Sequence, residues 1–171
     1  IWSDYVCQYC YIGKRELEEA LRLTGLKEHV QIEYHAFELS PDAPTDQTLH
    51  IFDFLQQLTG KTAEEVEQMM QGTANRAQAV GLQYNFENLY HQKTLDAHRV
   101  AQYAKSIGLG TAYQERLFYA VHTENAFLSH AETLLQLAIE VGLDEAKVQA
   151  ILTNKDAYLE DVQLDQVYGK Q

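Results

Sequence analysis

Two short stretches near the start of the chain have the pattern of β-strands. Residues 1–6 are rich in β-branched and aromatic side chains, and residues 30–36 place apolar side chains at every second position. Between them, apolar positions recur at helical spacing and end before Gly25, a residue type that often terminates helices. A strand, a helix and a strand within about forty residues predict a βαβ unit with a right-handed crossover.

The rest of the chain has the periodicity of helices. Both prolines, Pro41 and Pro44, follow the second strand and mark the exit from the sheet, because proline cannot donate to a strand ladder. Apolar stripes at helical spacing then recur over residues 45–153, and the polar stretch 154–171 fits one more helix. We therefore predict three parts, namely a βαβ unit over 1–44, a helical domain over 45–153 and a last helix within 154–171.

Polar residues mark where several of these helices begin. Thr62 with Glu65, and Ser129 with Glu132, have the spacing of capping boxes. Asp144 is placed to cap the helix that follows it. We expect helices to begin directly after each of these residues.

His98 and Arg99 lie within one of the predicted helices. The apolar stripe of this helix is centred near Ala101 and Ala104, which puts Arg99 on the opposite face and His98 on the flank. Such positions are usually solvated or structural. We therefore expect neither residue to take part in chemistry.

Composition and charge exclude several classes of protein. Of the 171 residues, 46% are hydrophobic and 22% charged, which is typical of soluble globular proteins. A net charge of -12 argues against nucleic-acid binding, because a phosphate backbone repels an acidic surface. No apolar run approaches the roughly 18 residues of a membrane span. With only two cysteines, a disulfide-stapled secreted framework is excluded, and we expect a cytoplasmic location.

The two cysteines, Cys7 and Cys10, are separated by two residues and stand between a predicted strand and a predicted helix. Disulfide exchange needs an attacking thiolate and a second thiol close enough to resolve the mixed disulfide. A helix N-terminus stabilises the thiolate through its free N–H groups and dipole. We therefore expect Cys7 to be the nucleophile, with a lowered pKa, and Cys10 to be the resolving thiol.

Four neighbours of the cysteines are candidates for supporting or substrate-binding roles. Asp4 could move protons for Cys10, although a role in a turn or cap is an equal alternative. Gln8 and Tyr9 lie between the cysteines and bring no cation to the thiolate. Tyr9 and Tyr11 could offer an apolar surface to a substrate, while core packing is the plainer interpretation of either.

A zinc site is the competing interpretation of the cysteine pair. His29 and His35 follow Cys10, but the gap from Cys10 to His29 exceeds the usual spacing of zinc motifs. If residues 30–36 form a strand, the two histidines stand roughly 20 Å apart and cannot share one ion. We therefore expect no metal.

The run over residues 3–15, SDYVCQYCYIGKR, resembles the active-site signature of the DsbA-like family, and in particular its FrnE-like branch. Further similarity lies in residues 34–41, 94–99 and 117–144. The resemblance implies an α/β, thioredoxin-like fold interrupted by a large all-helical insertion, with Cys7 and Cys10 as the redox pair.

The chain departs from the family pattern in two ways. Gln8 stands where the family usually has proline, which puts the redox potential in doubt. The family's Gly-Val-Pro segment, with its cis proline, and the C-terminal strands after it are absent, since no proline follows Pro44. A sheet of two strands is not stable alone. We therefore expect 154–171 to lead back toward a missing C-terminal half, in a longer protein or completed by a partner chain.

The predicted activity is that of a protein disulfide oxidoreductase acting on a disulfide- or thiol-bearing protein or small molecule. It needs no cofactor, although glutathione could serve as co-substrate. The protein could act as a homodimer. One alternative is a glutathione-dependent isomerase or transferase of the same superfamily, whose members usually carry serine in place of the first cysteine. Another is a non-catalytic module in which the cysteines sense redox state.

Overall fold

The computed structural model describes all 171 residues, as two short strands and eight α-helices. The strands are β1 (Trp2–Ser3) and β2 (His35–Ala36), and a short 3-10 turn lies between them at Lys27–His29. The helices are α1 (Gln8–Thr24), α2 (Ile51–Thr59), α3 (Ala63–Ala79), α4 (Leu95–Ser106), α5 (Gly110–His122), α6 (Ala131–Glu140), α7 (Glu145–Thr153) and α8 (Leu159–Gly169). None of the helices is both long and apolar enough to cross a membrane.

The two strands pair in parallel and α1 connects them, as the βαβ prediction required. Trp2 lies opposite His35, and Ser3 lies opposite Ala36. The predicted strand over 30–36 is therefore wrong for all but its last two residues. The Ile1 nitrogen donates to the Glu33 carbonyl at 2.7 Å, which continues the contact between the two segments.

Local capping signals gave mixed results. Thr62 and Glu65 form the predicted capping box at the start of α3, and Asp144 caps α7 by accepting from the Lys147 amide at 2.8 Å. The second predicted box is wrong. The Ser129 hydroxyl instead donates to the Lys93 carbonyl at 2.8 Å, so α6 begins one residue later with no side-chain cap.

The main core lies among the helices and includes the inner face of α1. Its fully buried members include Ile12, Val100, Leu117, Phe118 and Leu134. A polar contact also holds α1 against α5, since the largely buried Lys14 ammonium contacts Glu115 of α5 at 2.6 Å. The position of α1, and with it the position of the cysteines, is therefore fixed by the helical insertion as well as by the sheet.

Arg99 has the structural role that the sequence left open beside a solvated one, because it is fully buried. Its guanidinium donates to the carbonyls of Ile151 and Asn154, at 3.0 and 2.9 Å, where α7 ends. The apolar stripe located only the apolar contacts of α4. It could not show that α7 covers the other face and needs a donor for its last carbonyls.

Helix α8 is fastened to the sheet by Asp165. Its carboxylate contacts the His35 ring at 2.7 Å and accepts from the Ala36 amide at 2.9 Å and the Gln102 amide at 2.6 Å. Burial alone would raise the pKa of Asp165, but these contacts outweigh burial and lower the pKa below its ordinary value of 3.8. The charged carboxylate therefore stabilises the folded state.

We expect Asp165→Asn to lower stability near neutral pH and to matter less in acid. Because the folded pKa of Asp165 is lowered, its contribution is complete above about pH 4 and is lost as pH falls through the folded value. Urea unfolding of both proteins between neutral pH and pH 3 measures this difference. Asp161→Asn, at an exposed position of α8, is the matched control. A gap between the wild-type and Asp165→Asn curves that stays constant with pH would contradict the assignment.

Candidate active site

Cys7 and Cys10 lie at the start of α1, as predicted. Cys7 is the N-cap residue with an extended backbone, and the Cys10 amide donates to the Cys7 carbonyl at 3.1 Å in the first turn. Both thiols are free and partly exposed. The chain enters this turn directly from β1, so a short strand and a helix N-terminus together present two thiols near the surface.

The two thiols interact with each other and ionise as a unit. The hydrogen bond from Cys7 lowers the pKa of Cys10 to about 6, assisted by the Ser3 hydroxyl and the Asp4 main-chain amide. The hydrogen bond to Cys10, followed by burial, raises the pKa of Cys7 and outweighs the main-chain amides of Tyr9 and Cys10. The first proton of the pair therefore leaves more readily than that of a free thiol.

This result differs from the sequence prediction, which placed the lowered pKa on Cys7. The helix dipole favours Cys7, but the hydrogen bond between the two thiols is the largest influence on both, and it favours the thiolate on Cys10. Because the sulfurs share the remaining proton, the negative charge is a property of the pair. The sequence could not show this, since Ser3 and the amide of Asp4 reach Cys10 only when β1 ends beside α1.

Asp4 is buried beneath the cysteines, with 2% of its surface exposed. Its carbonyl accepts from the Cys7 amide at 3.1 Å, and its carboxylate accepts from the Leu39 amide at 2.8 Å. The other carboxylate oxygen lies 3.5 Å from Nε2 of His98. Burial would raise the pKa of Asp4, but the interactions with His98, Leu39 and Thr94 lower it. A charged carboxylate is thus held behind the thiols.

The residues between the cysteines are held against α3 and the loop that follows it. The Gln8 side chain donates to the Met70 sulfur at 3.7 Å, and the Tyr84 hydroxyl donates to the Gln8 carbonyl at 2.6 Å. Tyr9 is 54% exposed, with its hydroxyl 3.2 Å from that of Thr73. Its ring is the exposed aromatic surface next to the thiols.

Tyr11 is a core residue. It is buried, stacks on Phe118 with ring centres 5.0 Å apart, and donates its hydroxyl to Glu115 at 2.7 Å. It therefore holds α1 on α5 and does not form part of the surface that Tyr9 offers.

Several residues near the site were missed by the sequence analysis. His98 is 2% exposed and faces Asp4, although the helical pattern placed it on a flank. Tyr84 is 76 residues from Gln8 in sequence, and Thr94 is similarly distant from Asp4. No local pattern marks such contacts. The structure contains no group of three or more histidine, cysteine, aspartate or glutamate side chains arranged to hold a metal ion.

Comparison with known proteins identifies the family of this arrangement. Residues 1–169 match the family described as DSBA-like thioredoxin domain. The chain belongs to this DsbA-like family. Its fold is accordingly a thioredoxin-like α/β fold with a large helical insertion. The family match does not distinguish between branches of the family, so the FrnE-like assignment stays a prediction from the motif.

Two relatives support the DsbA-like assignment. The chain is 32% identical over 156 residues to the uncharacterized protein YwbO of Bacillus subtilis (strain 168), an alignment that covers 91% of this chain and 71% of YwbO. It also superposes on the crystal structure of the probable DsbA oxidoreductase SCO1869 from Streptomyces coelicolor, with a TM-score of 0.94 and 30% identity. That alignment covers all of this chain and 74% of the Streptomyces protein.

Proposed function

We propose that this DsbA-like protein is a thiol–disulfide oxidoreductase in which Cys7 and Cys10 form the redox pair. The observation that supports the proposal is the placement of two free, partly exposed thiols in the first turn of α1, where the Cys10 amide donates to the Cys7 carbonyl at 3.1 Å, with the first ionisation of the pair lowered. A thiolate that forms readily and a second thiol beside it are the two requirements of disulfide exchange.

The proposed reaction consists of two successive thiol–disulfide exchanges. The Cys7 thiolate attacks one sulfur of a substrate disulfide, so a Cys7–substrate disulfide forms and the other substrate sulfur leaves as a thiolate. The Cys10 thiolate then attacks Cys7, which releases the second substrate thiolate and leaves a Cys7–Cys10 disulfide. The substrate gains two electrons and the protein loses two. The same steps in reverse oxidise a dithiol substrate.

The substrate is proposed to be a disulfide- or thiol-bearing protein or small molecule. Exchange takes place between sulfur atoms, so the proposal needs neither a metal nor an organic cofactor, and glutathione can serve as co-substrate. Tyr9, exposed beside Cys10, is proposed to contact the substrate. The cytoplasm is the proposed location.

A redox titration of the reduced protein in glutathione buffers tests this function. We expect one reversible two-electron transition between about -270 and -120 mV, read by thiol alkylation or by Trp2 fluorescence. The variant with both cysteines replaced by serine is the control and should show no transition. Thiols that neither pair nor exchange would refute the proposal.

Turnover separates an oxidoreductase from a redox sensor. An oxidoreductase reduces a generic disulfide repeatedly at the expense of glutathione, whereas a sensor reacts once for each molecule of protein. A titration with the expected transition but a single turnover would therefore favour the sensor.

A further inference from the structure

The strongest unassigned feature of the molecule is a pair of buried titratable side chains, a carboxylate and an imidazole, behind the thiols. Asp4 lies in the turn between β1 and α1, and His98 lies on α4 of the helical insertion. Each is 2% exposed, and Asp4 Oδ1 lies 3.5 Å from His98 Nε2. Neither of these two atoms has any hydrogen-bond partner. A buried carboxylate needs a compensating charge, so the two groups depend on each other.

Asp4 also connects this pair to both cysteines. Its carbonyl accepts from the Cys7 amide at 3.1 Å, and its main-chain amide faces the Cys10 sulfur and stabilises the thiolate there. Its carboxylate has the opposite effect, because two negative charges repel each other, and this raises the pKa of Cys10. A positive charge on His98 reduces that repulsion.

We propose that His98 is a positioning residue for the thiol pair. It carries the positive charge that balances Asp4, and this makes ionisation of Cys10 easier. This inference rests on the proposed function, since it concerns the thiols that carry out the exchange. It gives the helical insertion a direct part in the chemistry, because α4 supplies the balancing charge. The sequence pattern of α4 gave no sign of this role.

The surroundings of the pair allow protons to exchange with solvent. Ser3 and His98 both line a cavity of about 330 Å³ between the segment 31–36 and the helices α4 and α5. The Ser3 hydroxyl also faces the Cys10 sulfur. Polar groups therefore extend from the resolving thiol to a cavity large enough for several water molecules.

Other titratable groups near the pair come from several elements. The Tyr5 ring lies 4.7 Å from the His98 ring, and Glu38, just after β2, is buried and has its pKa raised by burial. The remaining titratable groups that feel the charge of Asp4 are Cys10, His91 and His122. Burial lowers the pKa of both His91 and His122, which favours the neutral form of each ring. His98 is the histidine in contact with Asp4.

Two substitutions of opposite effect test the inference. Asp4→Asn removes the negative charge and keeps the main-chain amide, so the thiols should ionise at lower pH. His98→Gln leaves Asp4 unbalanced, so the thiols should ionise at higher pH. We expect shifts of about one pH unit in each direction, because a nearby charge changes a pKa by about 1 to 3 units. The double variant should return close to the wild-type value.

The measurement is the pH dependence of thiolate absorbance and of the iodoacetamide reaction rate for each cysteine, on reduced full-length protein. His91→Gln is the matched control, a buried histidine without contact to Asp4, and should cause no shift. A purely structural pair would give shifts in the same direction or none, and either result would overturn the inference. Turnover with a disulfide is measured separately. If no turnover is found while Asp4→Asn and His98→Gln still shift thiol ionisation in opposite directions, the oxidoreductase function is refuted and the inference about His98 is retained.

The wild-type protein provides a check that does not depend on the folding of variants. In an NMR titration of the reduced protein, the ring signals of His98 should respond over the pH range in which the thiols ionise. That response should vanish once Cys7 and Cys10 are joined as a disulfide. Ring signals that are identical in the two redox states throughout the titration would overturn the inference.

Discussion

Cys10→Ala should convert the protein into a trap for its disulfide substrate. Without the resolving thiol, the mixed disulfide formed on Cys7 has no neighbouring thiolate to break it. Turnover should fall by about 100-fold or more, because resolution by an adjacent group is replaced by a bimolecular reaction. Intact-mass spectrometry after incubation with oxidised glutathione should show one glutathione attached to Cys7.

Cys7→Ala should also lose turnover but should accumulate far less adduct. Cys10 is one turn inside the helix and loses the thiol hydrogen bond that is the first cause of its lowered pKa. The protein without either cysteine is the control for adducts elsewhere. A glutathione adduct on Cys10 in Cys7→Ala, together with none on Cys7 in Cys10→Ala, would reverse the proposed roles of the two thiols.

The location of the redox pair could be predicted because its signals are local. A strand-like run, two cysteines separated by two residues and an amphipathic helix place Cys7 at a helix N-terminus, and the structure has it there. The ionisation of the pair was less predictable. It depends on Ser3 and the Asp4 amide approaching Cys10, and this approach is set by the three-dimensional path of the turn.

The failed predictions have a common physical origin. Hydrophobic periodicity reports which positions avoid water, and it assigns every polar residue to the surface. Arg99 and His98 are polar and buried, because each has a partner far away in sequence. The Ser129 hydroxyl, predicted to cap α6, instead donates to the Lys93 carbonyl, 36 residues away. Buried polar contacts over such separations leave no local pattern.

The strand β2 illustrates a different limit. The alternation over residues 30–36 is present in the sequence, yet only His35 and Ala36 pair with β1. A strand requires a partner as well as a pattern, and the partner strand in this chain is two residues long. The alternation therefore marked a segment of which the last two residues pair with β1.

Arg99→Met should be among the most destabilising single substitutions in this chain. The guanidinium is fully buried and donates to the carbonyls of Ile151 and Asn154 at the end of α7. Methionine fills a similar volume but donates nothing, so the Ile151 carbonyl loses its protein donor and the Asn154 carbonyl keeps only the Ala157 amide, at 3.2 Å. We expect the free energy of unfolding to fall by about 3 kcal/mol, since each buried group left unpaired costs about 1 to 3 kcal/mol. The melting temperature should fall by roughly 10 °C.

Two further variants separate the lost hydrogen bonds from the lost charge. Arg99→Lys keeps the charge but cannot reproduce a planar group that reaches two carbonyls, so its stability should lie between that of wild type and Arg99→Met. Arg22→Met removes an exposed arginine of α1 that pairs with Glu19 three residues earlier, and it should leave the melting temperature almost unchanged. Calorimetry of the three variants beside wild type measures these differences. If Arg99→Met were as stable as Arg22→Met, the carbonyls at the end of α7 would not depend on the guanidinium, and the contact between α4 and α7 would rest on apolar packing alone.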